Sequence, residues 1–515
     1  MVRSIVRQRL CVVTVVMILC TSGCGGGTGG GSGILGNGIL GSNVVDPGGA
    51  FSGNVKSVAP YRDALTSDEA YHLLRRAAFG ATPVQVEAAV RRGLSGTIDD
   101  LFRKQTEDAS LDALAASYED DIPKRWLVYL IDGKNPLREK MAMFWHDRFA
   151  TSRRVIGGRD RGLAILHWDM LRRNALGDYR AFLEDLTLDP LMLIWLDGAN
   201  SPKQNPNENY AREFWELFTL GRDVLYTEAD IREGARAFTG ITLLREDELD
   251  ARPIFDLLNH DETVKTVFAS RATAANYNYI SMIDLTLQQR EAASYVAKNL
   301  FSFFVHDEPS DGVIAELADG FVASNFQIAP LVRKILRSSA LFSETARDGR
   351  IGTPVEHVVG VARTLDMHIF SEESQGSTMD RLARDLRGAG QDLLNPPGVE
   401  GWGENEAWLQ DQWIISRVDA LSRTMEFGPD RTEGMPLHLL PPIGEWDQRE
   451  IRDRLVDAMA SVFHLKLTPE EHDIYVEVLD QNGWRALHLV DPEQQPRHVF
   501  EMIRLMAMDE RVMGN

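Results

Sequence analysis

Helix-start signals recur along the chain from residue 65 onward, and they constrain the fold more than any other feature. Thr66 and Glu69 have the spacing of a capping box ahead of an apolar run, and Thr227 and Asp230 resemble it. Proline follows a capping side chain at four further starts: Thr82-Pro83, Asn135-Pro136, Asp189-Pro190 and Asn205-Pro206. Strand-like alternation is scarce. We therefore predict a mostly α fold, a large irregular multi-helix domain with a less helical insertion around 241–285.

The chain is acidic, with 55 Lys and Arg against 76 Asp and Glu and a formal net charge of −21. Binding to a phosphate backbone requires a positive surface, so we expect no nucleic-acid partner. The length and the apolar fraction are sufficient for a large buried core, which excludes wholesale disorder.

All three cysteines, Cys11, Cys20 and Cys24, lie at the start of the chain. The rest of the sequence has no thiol. Disulfides, thiolate nucleophiles, iron–sulfur clusters and Cys-ligated zinc are therefore excluded as the chemistry of the main domain.

The first 23 residues have the pattern of a secretory signal, with three arginines, a short apolar run and small residues before Cys24. The small residues resemble the lipobox of bacterial lipoproteins, although Thr21 replaces the usual leucine. We expect a signal peptide at 1–23 and a lipid on Cys24 that anchors the protein to a membrane of the cell envelope, facing the periplasm or the exterior; plain secretion is the alternative. Residues 24–57 are predicted to be a Gly-rich flexible tether, and 58–515 the helical domain.

The segment after Asn135-Pro136 places Leu137, Met141, Phe144 and Trp145 on one stripe of a helix. Glu139 and His146 lie opposite that stripe, about 20° apart at 100° per residue. One interpretation is a surface Glu–His pair on an amphipathic helix. The other is a face that lines a site, with His146 as acid, base or metal ligand.

The segment from Pro206 to Leu220 places Glu213 within an apolar stripe. A carboxylate there must be paired or protonated, because burial disfavours its charged form. The other face carries Glu208, Arg212, Trp215, Glu216 and Thr219. These residues form either a structural ladder of ion pairs or a surface that grips a sugar or another hydroxylated ligand.

Two further segments are candidates for a functional site. The His260-Asp261 step, with Lys265 and the basic face of Arg236 nearby, is either a site or a structural feature. The Pro-Pro turn at 396–397 leads to Trp402, Trp408 and Trp413, whose rings either pack in the interior or stack on carbohydrate.

The chain resembles the bacterial family called domain of unknown function 1800 through a series of ordered segments. They are Leu73 to Gly80, Arg138-Glu139-Lys140-Met141, Phe144-Trp145-His146, Asn205 to Glu213, Glu216 to Gly221, Ala235 to Gly240, His260-Asp261, Pro354-Val355-Glu356 and Pro396 to Trp402. The resemblance implies a secreted or cell-surface bacterial protein, often encoded beside a sulfatase-like partner. It implies no reaction and no established catalytic residues.

Three functional hypotheses follow. The first is an envelope enzyme that cleaves an extracellular polysaccharide, with Glu213 as general acid, Glu208 or Asp261 as base, Arg212 on the same face, and His146 or His260 as proton carrier. The second is a non-catalytic surface lipoprotein that binds or matures a partner such as the sulfatase-like protein. The third, weaker hypothesis is a divalent metal site for zinc, manganese or iron, formed by His146, Glu208, Glu213, His260 and Asp261.

Overall fold

The computed structural model describes residues 58–107, 109–117, 121–154, 161–245, 251–269, 271–367, 375–426, 448–481 and 496–513. The predicted signal peptide, Cys24 and the predicted tether lie outside the described residues. Within the described ranges, no helix is long and apolar enough to cross a membrane.

The first half of the domain is built from helices. They are α1 (Ser67–Ala78), α2 (Pro83–Phe102), α3 (Ala109–Ser117), α4 (Ile122–Asp132), α5 (Pro136–Arg148), α6 (Arg161–Asn174), α7 (Tyr179–Thr187), α8 (Pro190–Trp195), α9 (Glu208–Glu213) and α10 (Glu228–Ala237). A π-helical turn (Phe214–Thr219) continues α9 directly.

The second half continues the helical pattern after a small hairpin. Its helices are α11 (Tyr279–Leu287), α12 (Arg290–Phe304), α13 (Asp311–Ala323), α14 (Ile328–Leu336), α15 (Glu344–Asp348), α16 (Pro354–Thr364), α17 (Gln375–Gly388), α18 (Asp411–Glu426), α19 (Gln448–Val462), α20 (Pro469–Gln481), α21 (Pro496–Ala507) and α22 (Glu510–Met513). The prediction of a mostly α fold is confirmed.

The capping signals act as the sequence predicts at most positions. The Thr66–Glu69 and Thr227–Asp230 boxes form with reciprocal hydrogen bonds, and Asp189 caps α8 through the backbone N–H of Met192. At the Asn205-Pro206 signal, the helix begins two residues later than expected, because Asn207 is the residue whose side chain accepts a backbone N–H.

The less helical insertion contains an antiparallel hairpin of β1 (Ile241–Arg245) and β2 (Ala251–Phe255), with Ile241 opposite Phe255. Helical structure resumes at Tyr279. The insertion thus ends slightly earlier than the predicted boundary.

Helix α5 lies between two large clusters of buried apolar side chains. Its stripe of Leu137, Met141, Phe144 and Trp145 belongs to one cluster, whereas Ala142 and Met143 belong to the other. A helix packed on both sides buries most of its surface, and partial exposure remains towards its ends, at Arg138, Asp147 and Arg148. Its polar side chains Glu139, Lys140 and His146 are accordingly 0% exposed.

The ammonium group of Lys140 is neutralised inside the protein by Glu356 of α16, at 2.5 Å. The same carboxylate accepts two hydrogen bonds of 3.0 Å from Arg350 and closes the capping box of Thr353. Burial alone would raise the pKa of Glu356, but the charges of Arg350 and Lys140 outweigh burial and hold it well below its ordinary value of 4.5. This carboxylate therefore joins α5 to α16.

We predict that Glu356→Gln lowers the free energy of unfolding by about 3 to 5 kcal/mol, because it leaves buried cations without their counter-charge. Urea unfolding of the two proteins measures the difference. Since the folded-state pKa of Glu356 is depressed, its contribution is present above pH 4.5 and is lost as the pH falls below that value. The difference should therefore shrink in acid.

Glu87→Gln is the matched control, because Glu87 is 71% exposed and only contacts Arg91 at 3.5 Å. We expect its effect to stay below about 1 kcal/mol. Equal effects of the two substitutions would contradict a stabilising role for the buried carboxylate.

Candidate functional site

A pocket with a free volume of about 60 Å³ opens at the C-terminal end of α5. Its lining comes from α5, α12, the segment before α16 and the loop that contains Trp402; the polar lining residues are Asp147, Arg148, Ser302, Asp307, Arg350, Thr353, Gln391, Glu404 and Asn405. This volume holds a few water molecules or one polar group of a ligand, so a larger ligand would extend through the mouth.

Asp147 is the carboxyl group of this pocket whose position the surrounding structure fixes most closely. Its side chain is 20% exposed, and one carboxylate oxygen accepts the backbone N–H of Trp402 at 2.7 Å. Burial raises the pKa of Asp147, and its contact with Arg148 is weak at 3.8 Å. A partly accessible carboxyl with a raised pKa can hold a proton and donate it.

Gly401 allows the Trp402 loop to approach Asp147. Its φ of +80° lies in the left-handed region, and a β-carbon at this position would overlap with the backbone and side-chain oxygens of Asp147. Only glycine can both adopt this φ and leave room for the oxygens of Asp147.

Asp307 is a second carboxyl at the solvent-exposed side of the pocket. Partial desolvation raises its pKa, and it accepts a hydrogen bond from the side-chain amide of Asn405. The two arginines of the pocket are committed to other partners, Arg148 to Glu404 and Arg350 to Glu356. The pocket therefore has two carboxyls with raised pKa beside two arginines that are already paired.

His146 lies behind this pocket without lining it. Its ring is 5.2 Å from the ring of Trp402, which lines the pocket. Neither ring nitrogen of His146 has a hydrogen-bond partner among the described residues, and burial lowers the pKa of His146 well below the usual range. The interpretation of a surface Glu–His pair is wrong, because both residues are 0% exposed.

Glu139 is held at a different place on α5. Its carboxylate accepts hydrogen bonds from Arg172 at 2.9 to 3.0 Å and from the indole N–H of Trp126 at 3.1 Å. These contacts tie α5 to α4 and α6, which gives Glu139 a structural role.

The π-helical turn after α9 changes the faces that a regular helix would present. Each extra residue per turn rotates the side chains that follow, and such turns are frequent at functional sites. Trp215, predicted on the polar face, is 0% exposed and donates its indole N–H to Thr286 at 3.0 Å. Tyr179 and Tyr295 donate to the backbone carbonyls of Phe218 and Leu217 and so support the widened turn.

Glu213 is half-buried and forms no hydrogen bond within the part of the chain that the structure describes. Burial, followed by the nearby charge of Glu216, raises its pKa. Arg222 bridges Glu216 at 2.5 Å and Glu400 at 2.7 Å. Because Glu400 precedes Gly401 and Trp402, this chain of charges connects the π-helical turn to the loop of the Asp147 pocket.

Glu208 and Arg212 lie on the surface, with side chains 40% and 35% exposed. Arg212 makes its closest ion pair with Glu228 of α10 at 2.7 Å, and its contact with Glu208 is longer, at 3.5 Å. Arg212 thus makes ion pairs, as the structural alternative expected, but mainly with Glu228, whereas Glu216 pairs with Arg222.

His260 and Asp261 form part of a polar cluster that closes the insertion onto α10. The Nδ1 atom of His260 lies 2.9 Å from the carbonyl oxygen of Thr239. Burial alone would raise the pKa of Asp261, but hydrogen bonds from Arg236 and Thr263 hold it well below its usual range. Lys265 is 0% exposed and donates to the backbone oxygen of Asp261. These contacts hold the segment that contains His260, Asp261 and Lys265 against α10.

The predicted site residues thus divide into two groups. Trp402 lines the Asp147 pocket and His146 contacts its ring from behind, while Glu216 is linked to the Trp402 loop through Arg222 and Glu400, with Glu213 beside Glu216. Glu208, Arg212, His260 and Asp261 make their contacts elsewhere, and none of those contacts reaches the pocket. Trp402 and Trp408 are only 6% and 4% exposed, so they wall the pocket and do not offer open faces for stacking.

No group of three or more His, Cys, Asp or Glu side chains in the described ranges is arranged to hold a metal ion. A larger groove of about 470 Å³ lies between α1, α2 and α16. Its Arg92 pairs with Asp100 at 3.0 Å, and its Arg363 donates to backbone carbonyls of α4. None of the predicted site residues lines this groove.

Asp147 and Asp307 were not among the site residues predicted from the sequence. Each directly follows a histidine, His146 and His306. The same His–Asp pattern was a candidate at His260-Asp261, and a search of the whole sequence for this pattern identifies both aspartates.

The fold and the pocket define a mostly helical protein whose two cores are joined by buried ion pairs and whose candidate site contains carboxyl groups. The family model described as "Protein of unknown function (DUF1800)" matches residues 72–495. The chain belongs to this family. No curated protein and no solved structure matches it.

We predict that Gly401→Ala displaces the Trp402 loop from Asp147. The left-handed conformation costs a non-glycine residue about 1 to 2 kcal/mol, and the overlap with Asp147 adds to that cost. Tryptophan fluorescence should change, and the free energy of unfolding in urea should fall by at least about 1 kcal/mol.

Gly398→Ala is the control in the same loop, because a β-carbon at Gly398 meets no atom within 4 Å. If both substitutions left fluorescence and stability unchanged, the described approach of Gly401 to Asp147 would be refuted.

Proposed function

We propose that this protein is a lipid-anchored protein of the bacterial cell envelope that acts on an extracellular polysaccharide by acid–base chemistry at the Asp147 pocket. Asp147 is the observation that carries the proposal: a partly exposed carboxyl in an open pocket, with a pKa that burial raises. Hydrolysis of a glycosidic bond requires such a group to protonate the departing oxygen.

Asp147 takes the general-acid role that the sequence suggested for Glu213. In the protonated form it gives its proton to the departing oxygen, and the backbone N–H of Trp402 stabilises the carboxylate that remains. Asp307 shares the pocket and is the candidate base that activates water. Asn405 orients Asp307 through its side-chain amide.

Glu213 and Glu216 are assigned to substrate contact beside the pocket. Arg222 and Glu400 connect them to the Trp402 loop, and Glu213 has no hydrogen-bond partner among the described residues. A hydroxylated ligand that extends from the pocket mouth toward the π-helical turn would meet these carboxylates as hydrogen-bond acceptors.

The lipid anchor is the second part of the proposal, and it rests on the sequence before Cys24 and on the Gly-rich residues after it. A tether of this composition lets the domain reach a polymer at some distance from the membrane. The acidic charge of the chain also disfavours close contact with an anionic membrane surface.

The catalytic proposal predicts that Asp147→Asn reduces cleavage by about 100- to 10,000-fold, because asparagine cannot donate the proton. The full chain is incubated with a panel of extracellular polysaccharides, and the release of reducing ends is measured. The raised pKa of Asp147 keeps the acid protonated to higher pH than an ordinary carboxyl. Activity should therefore fall on the alkaline side as Asp147 loses its proton.

Asp319→Asn is the matched control, because Asp319 is 65% exposed and its ion pair with Arg290 lies on the surface. It should leave the rate unchanged. If the protein cleaves no polymer, or if Asp147→Asn retains full activity, the enzymatic proposal fails. A stoichiometric partner recovered from native membranes, such as a sulfatase-like protein, would then favour the non-catalytic alternative.

We also predict that Cys24→Ser moves the protein from the detergent phase to the aqueous phase on Triton X-114 partition, because the thiol that carries the lipid is gone. One acyl chain gives only marginal membrane binding, so a stable anchor requires more than one. Cys20→Ser is the control, since Cys20 lies within the predicted signal peptide. An unchanged distribution of Cys24→Ser would exclude lipidation at this residue.

A further inference from the structure

Two buried histidines on adjacent helices have ring nitrogens without partners. His146 of α5 and His167 of α6 are both 0% exposed, and their ring centroids are 6.1 Å apart in an edge-to-face arrangement. Within the described ranges, both ring nitrogens of His146 and the Nε2 atom of His167 have no hydrogen-bond partner. Buried polar atoms are nearly always satisfied, so unpartnered nitrogens in two neighbouring rings point to a ligand between the rings.

The other nitrogen of His167 is arranged as in a metal-binding histidine. Its Nδ1 atom lies 2.8 Å from a carboxylate oxygen of Asp189, and Asp189 is itself fixed as the N-cap of α8. A carboxylate that accepts a hydrogen bond from the N–H of one ring nitrogen leaves the lone pair of the other nitrogen free to bind a metal. The pair Asp189–His167 therefore presents Nε2 as a donor.

The surroundings of the pair are aromatic. The ring of Trp126 lies 5.9 Å from that of His146 and 6.3 Å from that of Trp168, and Trp402 covers His146 on another side. Burial, and then the neighbouring His167, lower the pKa of His146, so its imidazole is neutral and able to act as a ligand. No carboxylate hydrogen-bonds to His146 within the described ranges.

We propose that His146 and His167 form a closed binding site for one monovalent copper ion, Cu(I). This inference is independent of the polysaccharide proposal. Structural zinc takes four ligands, and this site has neither the donors nor access to water to supply them. Cu(I) is satisfied by few, soft ligands, and a single positive charge is less costly to enclose in an apolar, aromatic site than a double one.

Met143 supplies the soft donor that favours copper. It lies one turn before His146 on the same face of α5 and is 3% exposed. It belongs to the same apolar cluster as Trp126 and Trp168. A thioether one helical turn from a histidine ligand favours Cu(I) over harder cations.

The test uses the full chain with Cys11, Cys20 and Cys24 replaced by serine, so that no thiol competes for copper. Cu(I) is titrated anaerobically against a chromophoric Cu(I) chelator. We expect one equivalent to bind and to raise the melting temperature. His146→Gln and His167→Gln should each weaken binding by more than about 100-fold, and Met143→Leu, which preserves side-chain volume, by about 10-fold.

His472→Gln is the matched control, because His472 also lies beside a carboxylate, Asp457 at 3.4 Å, but faces no second histidine in the described structure. It should bind copper as the parent does. X-ray absorption of the copper-loaded parent should show nitrogen and sulfur neighbours and does not depend on any variant folding. Failure to bind one equivalent, retention of binding in both histidine variants, or tighter binding of Zn²⁺ than of Cu(I) would overturn the proposal.

Discussion

The salt bridge between Lys140 and Glu356 is the interaction on which the rest of the structure depends. Because α5 runs between two apolar clusters, its lysine has no route to solvent, and Glu356 must neutralise it internally. Two ions buried together are stable only when their remaining bonding capacity is also satisfied, and Arg350 and Thr353 satisfy it for the carboxylate. One carboxylate thus fixes α5, α16 and the segment between residues 350 and 353, which forms a wall of the pocket.

This arrangement separates the charges that hold the fold from those available for chemistry. Arg350 lines the pocket but is committed to Glu356, and Arg148 is committed to Glu404. Asp147, Asp307 and Glu213 have raised pKa values, because neighbouring cations do not outweigh the effect of burial on their charge. Two such groups, Asp147 and Asp307, share one pocket, which is typical of a functional site, whereas the strongly paired Asp261 is typical of a structural one.

The fold class was predictable because caps act locally: Thr66, Asp189 and Thr227 cap their helices through residues three positions away. The site was only partly predictable. Helical spacing correctly places Leu137, Met141, Phe144 and Trp145 on one apolar stripe. No local pattern, however, shows that the opposite face of α5 packs against a second core. At Trp215 the helical-wheel prediction failed because tertiary packing buries that face: the indole N–H donates to Thr286 of α11, and the ring lies against Gly234 of α10. Asp307 and Asn405 meet only through tertiary packing.

Trp402 connects the two sites proposed on α5. His146 and Asp147 are consecutive residues, so their side chains leave the helix about 100° apart and reach different surroundings. The backbone N–H of Trp402 binds Asp147, while its ring contacts His146. Loss of charge on Asp147 weakens the hydrogen bond from that N–H, since bonds to a carboxylate are stronger than those to a neutral acid. If both proposals hold, the position of the Trp402 indole responds to the protonation state of Asp147 on one side and to metal binding by the histidine pair on the other.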